Sequence, residues 1–156
     1  MKAKIIPRDT PTFHYFNANP AQNLTGDCVI RALSLALNKP WATVLRELTE
    51  YAVRYSTMPN AKDCYPRYLA DQGWVRQKQP RLPDGRKLRG YEFAPLCPAT
   101  AIAHIGTHHI DCIRDQRIWD LFDSGSRCVG NFWIKAEAAP AAAGSASMTA
   151  MRSMSR

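Results

Sequence analysis

Three residues far apart in the sequence have the types that nucleophilic catalysis needs. Cys28 follows Gly26 and Asp27 and opens an apolar run with helical spacing. A thiol in the first turn of a helix has a lowered pKa, because unpaired backbone N–H groups and the helix dipole favour the thiolate. His109 could hold that thiolate as an ion pair, and Asp120 could fix the tautomer of the imidazole. The residue types therefore indicate a cysteine nucleophile with a histidine base.

The elements that must position these side chains can be read from apolar spacing and from turn residues. A capping residue, Asp27 or Thr25, precedes the first helix, and Asp63 and Gly73 bound the third. The pattern predicts helices over 28–37, 41–55 and 63–72, followed by strands over 101–105, 109–113, 117–120 and 129–134. The expected fold class is α+β, with N-terminal helices packed on a small antiparallel β-sheet.

In that sheet the strand of His109 forms a hairpin with the strand that ends at Asp120. A hairpin brings residues near its open end together, so the imidazole and the carboxylate should meet. Asp115 and Asp123 are the alternatives for orienting the imidazole, because both lie near the same turns.

The order of these residues, a Cys at a helix start and then a His and an Asp on neighbouring strands, resembles the papain-like cysteine peptidase superfamily. Residues 23–134 are more closely similar to a small, uncharacterised phage and bacterial family. The similar motifs are Gly26-Asp27-Cys28-x-x-Arg31-Ala32-Leu33, Pro40-Trp41-x-x-Val44 and His109-x-x-x-Ile113-x-Asp115-x-x-Ile118-x-Asp120-x-x-Asp123-Ser124.

The resemblance implies a papain-like core and a Cys28/His109/Asp120 triad that hydrolyses a peptide, isopeptide or related amide bond, in a protein encoded by a phage. The chain departs from the family pattern at Asp111 and Cys112, where small or aliphatic residues are typical, and at Gln116, where glycine normally makes the turn. These three positions are not expected to touch the triad.

An oxyanion hole needs a second donor besides the Cys28 backbone N–H. In papain-like enzymes a glutamine six residues before the nucleophile often supplies it, and Gln22 occupies that position here. Asn23 is an equally polar neighbour, so both remain candidates.

The remaining cysteines do not indicate a disulfide framework or a metal site. Cys64, Cys97 and Cys128 are scattered without a Cys-x-x-Cys pair, so we interpret them as structural thiols. His104, His108 and Cys112 have spacings that would suit a metal on a helix. On a strand, however, a span of eight residues spreads over about 26 Å, so we predict no metal and no other cofactor.

Positive charge is concentrated in residues 76–90, which carry six basic side chains and one Asp in a chain whose formal net charge is +8. Proline and glycine in this segment predict a surface excursion. Arg86, Lys87 and Arg89 are candidates for binding an acidic substrate or a virion or host protein. A basic segment also fits nucleic acid, but no recognition module surrounds it, which makes a solvated loop the simpler interpretation.

The 156 residues are 46% hydrophobic, which is enough for one folded domain, assigned here to residues 1–135. Residues 136–156 are rich in Ala, Ser and Met and are expected to be disordered or to bind a partner. With no signal-like or membrane-spanning run, the protein is expected in the host cytoplasm or the virion. The alternative to an enzyme is a noncatalytic virion or host-interaction protein that retains the peptidase fold.

Overall fold

The protein is a mixed α+β fold in which helices precede most of the strands. The computed structural model describes residues 5–136. The helices are α1 (Cys28–Leu37), α2 (Trp41–Tyr55), α3 (Tyr65–Asp71) and α4 (Gly90–Phe93), the last continued by a 3₁₀ turn over Ala94–Leu96. The strands are β1 (Phe13–Tyr15), β2 (Trp74–Gln77), β3 (Ala101–Ile105), β4 (His109–Arg114), β5 (Arg117–Asp120) and β6 (Val129–Lys135).

The six strands form one sheet in the order β1-β5-β4-β3-β6-β2. The four predicted strands, β3 to β6, pair antiparallel as expected, but the sheet has two further strands and one of them is parallel. β1 joins one edge in parallel with β5, and β2 adds an antiparallel strand to β6 at the other edge. Both strands are short and lie at edges, where the alternation of buried and exposed residues is weak.

Each face of the sheet carries its own apolar cluster because successive strand residues point to opposite faces. Ile102 and Cys112 pack with α1, α2 and α3 on one face. Ala103 and Ile113 pack with α4 on the other face. The face that holds α1 is the one that positions Cys28, since α1 lies against β4.

α1, α2 and α3 form where the apolar spacing predicts helices, α4 was not predicted, and the caps differ from the prediction. Asp27 occupies the position before α1 without making a side-chain capping bond. α3 begins at Tyr65 after Cys64, and the Asp63 carboxylate accepts a hydrogen bond of 2.6 Å from Thr57 Oγ1. Both aspartates thus have tertiary partners in place of the predicted local ones.

The basic segment 76–90 is attached to the fold more firmly than a surface excursion would be. Its first residues belong to β2, and Leu88 is buried in the second apolar cluster. The Gln79 side-chain amide donates to the Val129 carbonyl at 2.8 Å. An isolated bridge also joins Arg89 to Cys128. Residues 83–87 are exposed, as a surface excursion predicts, but Leu88 and the contacts of Gln79 and Arg89 also tie the segment to the core.

The Ala/Ser/Met-rich tail assigned to residues 136–156 lies, from residue 137 onward, outside the described residues.

Candidate active site

α1 and β4 bring the Cys28 thiol to the His109 imidazole. Cys28 is the first residue of α1 and is half-buried, and His109 is the first residue of β4. Burial alone would raise the pKa of the Cys28 thiol. Hydrogen bonds from the His109 side chain and the Ile110 backbone N–H, with the positive charges of His109 and Arg31, outweigh burial and hold this pKa below its ordinary value. The site therefore favours a thiolate at Cys28.

Three of the other cysteines differ from Cys28 in this respect. Burial raises the pKa values of the Cys64, Cys97 and Cys112 thiols. Cys128 is exposed, which does not fit its interpretation as a structural thiol. Cys28 is the one thiol within residues 5–136 that has a histidine and an arginine side chain stabilising its anion.

The His109 imidazole is held by two carboxylates at the same nitrogen. Its Nε2 atom lies 2.5 Å from Asp120 Oδ2 and 3.1 Å from Asp111 Oδ1. Burial lowers the pKa of His109, but bonds to Asp111, Asp120 and Cys28 together raise it well above its ordinary value. Because Nε2 faces the carboxylates, Nδ1 is the ring nitrogen left for the thiol.

Asp111 touches the predicted triad, so the expectation that it would not is wrong. Its side chain is fully buried, and its second oxygen accepts a hydrogen bond of 2.8 Å from Ser124 Oγ. The signal for this contact was present in the sequence. In the register of β4 and β5, Cys112 pairs with Trp119, so the next pair along is Asp111 with Asp120. Because alternate residues of a strand share a face, Asp111 also lies on the face of His109.

The pKa values of the two aspartates shift in opposite directions, although burial alone would raise both. Burial raises the pKa of Asp111, and the nearby Asp120 charge raises it further. Burial alone would also raise the pKa of Asp120, but its hydrogen bonds to His109 and Asp111 keep that pKa below the ordinary value. The pair therefore resembles one ionised carboxylate, at Asp120, beside one that favours its proton.

Arg31 connects this cluster to the start of α1. One guanidinium nitrogen contacts Asp27 Oδ1, and another lies 3.1 Å from Asp120 Oδ1. Asp27 Oδ2 in turn accepts hydrogen bonds from Trp41 Nε1 at 3.0 Å and from Asn19 Nδ2 at 3.2 Å. These buried contacts fix the end of β5 relative to the helix that carries Cys28.

Phe122 covers the outer face of the imidazole. Its ring centroid lies 4.7 Å from that of His109, and the Arg127 guanidinium lies 5.7 Å from the centre of the Phe122 ring. Phe122 remains 39% exposed, so the stack limits the rotation of His109 without sealing the site from solvent. Sequence reasoning did not single out Phe122.

The two candidate oxyanion donors lie before α1. The Gln22 side-chain nitrogen donates to the carbonyls of Asn17 and Asn19 at 3.1 and 3.0 Å. The Asn23 carbonyl accepts from the Asn17 side chain at 3.3 Å. Neither Gln22 nor Asn23 lines the cavity that contains Cys28. The Ile110 N–H, by contrast, hydrogen-bonds the thiol itself.

The two alternative orienting aspartates lie apart from the imidazole contacts. Asp115 is exposed in the β4–β5 turn with φ 51°, and Gln116 follows at φ 60° in the position where glycine was expected. Asp123 Oδ1 accepts a hydrogen bond of 2.9 Å from the Gly125 N–H. Asp120 is therefore the predicted orienter that contacts His109.

A metal site at His104, His108 and Cys112 finds no support within residues 5–136. The one group of potential metal ligands there is His109, Asp111 and Asp120, whose ligand atoms lie within 4.8 Å of one another. Arg31 and Ser124 already hydrogen-bond the outer oxygens of its two carboxylates.

The predicted partner-binding residues have local contacts. Arg86 forms two hydrogen bonds to Glu92, at 2.9 and 3.1 Å, which raise the pKa of its guanidinium. Arg89 Nη1 donates to the Ser126 carbonyl at 2.5 Å. Lys87 is exposed, and its backbone forms an isolated antiparallel β-bridge with Arg81.

No protein-family model, curated protein or solved structure matches this chain. Among the helices of residues 5–136, none is both long and apolar enough to span a bilayer.

Proposed function

We propose that the protein is a papain-like cysteine hydrolase that cleaves an amide bond through Cys28, His109 and Asp120. The observation that carries the proposal is that His109, whose Nε2 atom lies 2.5 Å from the buried Asp120 carboxylate, also stabilises the thiolate of the helix-start Cys28. The arrangement matches the requirements for an activated thiol: a nucleophile, a base within reach, and a third group that orients the base.

The reaction begins with the Cys28 thiolate attacking the carbonyl carbon of the amide. The carbonyl electron pair moves to oxygen, and the Cys28 backbone N–H is placed at the start of α1 to stabilise that oxyanion. When the intermediate collapses, the C–N bond breaks and the His109 imidazolium gives its Nδ1 proton to the departing amine. The products of this half-reaction are a free amine and a thioester on Cys28.

Water then completes the cycle. Neutral His109 accepts a proton from a water molecule while the oxygen of that water attacks the thioester carbon. The C–S bond breaks, which releases the carboxylic acid product and restores the thiolate and imidazolium pair. Throughout, Asp120 accepts a hydrogen bond from Nε2 and so keeps Nδ1 directed at sulfur and substrate.

Selective alkylation of the thiols tests this proposal. Limited reaction with iodoacetamide near pH 6.5, followed by mass-spectrometric mapping, should modify Cys28 before the exposed Cys128. His109→Ala should slow modification of Cys28 by about tenfold or more, because it removes the positive partner of the thiolate. His108→Ala is the matched control, since this neighbouring histidine is exposed and makes no contact with a carboxylate.

Two results would favour a noncatalytic binding protein. The first is that Cys28 reacts no faster than Cys128 in the folded protein. The second is that His109→Ala and His108→Ala have equal effects on Cys28. Denatured protein gives the intrinsic reactivity of each thiol and corrects for differences in peptide detection.

A further inference from the structure

A groove leads away from Cys28 between α3 and the sheet. Its first part, about 340 Å³, has an apolar wall that includes Val29 and Ile110 beside the thiol. Its second part, about 180 Å³, extends to Arg76 and Trp133. Lys62, Tyr65 and His104 line both parts, so the two form one continuous depression. We call this depression the groove.

The groove is lined by positive charge without negative charge. Lys62 and Arg76 are both exposed, and neither forms a salt bridge within the described part of the chain. The Lys62 ammonium donates to the Thr107 carbonyl at 3.3 Å, and the Arg76 guanidinium lies 6.0 Å from the centre of the Trp133 ring. No aspartate or glutamate lines either part of the groove. Its two cations are therefore available to a ligand.

A second hollow adjoins the first part of the groove at His108, which lines both. His109 lines it together with Arg89 and Arg127, and again no acidic residue takes part. Arg127 is exposed and contacts the Phe122 ring that covers His109. A chain that contacts both the thiol and the imidazole would consequently meet cations in the groove and in the second hollow.

The acidic side chains near the thiol do not cancel this field. Asp27, Asp111 and Asp120 are all buried and hydrogen-bonded to cationic or hydroxyl groups. Positive residues lining a cleft raise the local concentration of anionic ligands and steer their approach. The surface that a substrate meets is thus positive even though the centre contains three aspartates.

The aromatic residues of the groove separate two kinds of anionic ligand. Proteins that hold single-stranded nucleic acid stack bases on exposed aromatic rings. Tyr65 and Trp133 are 3% and 4% exposed and pack edge to face on each other, with ring centroids 5.8 Å apart. Their faces are not open to bases, so the groove suits the carboxylates of a peptide better than a nucleic acid.

We propose that the substrate is an acidic peptide segment, with glutamate or aspartate side chains on both sides of the amide that Cys28 attacks. This inference rests on the proposed function for the position of the scissile bond. Lys62 and Arg76 hold the carboxylates on the side of the groove, and Arg127 meets those on the side of His109.

A binding measurement tests this substrate class independently of turnover. The probes are Glu-Glu-Ala-Ala-Glu-Glu-amide carrying fluorescein on its N-terminal amine and its identically labelled counterpart with glutamine in place of every glutamate, titrated against the full chain carrying Cys28→Ala. The glutamate peptide should bind at least tenfold more tightly at low ionic strength, and added salt should reduce this preference. The double variant Lys62→Gln, Arg76→Gln should lose most of it. Lys78→Gln is the matched control, since Lys78 is equally exposed but lines neither part of the groove.

Equal binding of the two peptides would overturn the proposal. So would a preference for glutamate that survives the double variant, because other cations would then be responsible. Tighter binding of an oligo-dT strand with the same net charge would assign the groove to nucleic acid. An unreactive Cys28 in the alkylation experiment, with the glutamate preference intact, would refute the hydrolase while leaving the acidic ligand in place.

Discussion

Arg31 and Arg86 each contact carboxylate oxygens twice, but in very different surroundings. The Arg31 side chain is 6% exposed and bridges Asp27 to Asp120, whose positions in the sequence are far apart. The Arg86 side chain is 49% exposed, and both of its carboxylate contacts are to Glu92, six residues later. The first set of contacts joins α1 to the end of β5 at the candidate active site, whereas the second shapes a single loop.

This difference shows that charge density along the sequence is a poor guide to which cations matter. The basic segment is a candidate binding surface in the sequence because its arginines and lysines are close together. In the structure, however, Arg86 has a carboxylate partner and Arg89 has a carbonyl partner. Lys62 stands outside that segment and has no carboxylate partner in residues 5–136. Availability depends on the partners that folding supplies.

The largest effect on stability is expected for Arg31→Met. Removing this guanidinium leaves Asp27 buried without its cation and Asp120 paired with His109 alone, which should lower the free energy of unfolding by about 3 to 5 kcal/mol. Chemical denaturation measures the change, with Arg117→Met as the control because Arg117 lies 3.7 Å from Asp9 in a more exposed pair. A loss below about 1 kcal/mol would mean that the buried bridge is no more important than a surface pair.

A smaller effect should appear in the pH dependence of Asp111→Asn. Because the folded-state pKa of Asp111 is raised, its stabilising contribution is present below its unfolded pKa and is lost as pH rises through the folded value. Asparagine stays neutral, so the stability of the variant relative to the native protein should increase by about 1 to 3 kcal/mol between about pH 5 and about pH 8.

Asp120→Asn provides the opposite case. The folded-state pKa of Asp120 is lowered, so its contribution is present above its unfolded pKa and is lost as pH falls through the folded value. Urea denaturation of both variants over a pH series extended down to about pH 2 makes the comparison, because the Asp120 contribution is lost only below an unfolded pKa of about 4. Parallel curves for the two variants would contradict the assignment of the proton to Asp111.

The smallest effect is expected for Arg86→Ser. The pair with Glu92 is exposed and local, so the melting temperature should change by no more than about 2 °C. The rate of Cys28 alkylation should stay within about twofold of the native rate. Scanning calorimetry and the thiol-mapping experiment provide these two measurements. A large loss of stability would show that the loop anchors the core as strongly as Arg31 does.

The sequence predicted the parts of the fold that depend on local periodicity. α1 and α2 lie over the predicted ranges, and the hairpin of β4 and β5 brings His109 to Asp120 as expected. These elements are long or are bounded by clear turn residues, so local patterns were sufficient. The edge strands β1 and β2 are short, and their pairing partners lie far along the chain.

The site was predicted less completely because its contacts depend on strand register. In the sequence, Asp111 stands out only as a departure from the expected family pattern. Alternation along a strand nevertheless places it on the face of His109. Gln22 is a candidate because it lies six residues before Cys28. Spacing along the chain does not show that the Gln22 side chain donates to the carbonyls of Asn17 and Asn19. Spacing identifies residue types, but the tertiary partners decide their roles.

The parallel strand β1 can pair only after most of the chain has been synthesised. Phe13 pairs with Ile118, 105 residues later, and the Phe16 N–H donates to the Asp120 carbonyl at 3.0 Å. A ribosome therefore releases Cys28 and all of α1 well before His109 and Asp120 emerge, and before β1 has a strand to join. Until β4 has emerged, the nascent chain carries Cys28 without the His109 side chain and the Ile110 N–H that lower the pKa of its thiol in the folded protein.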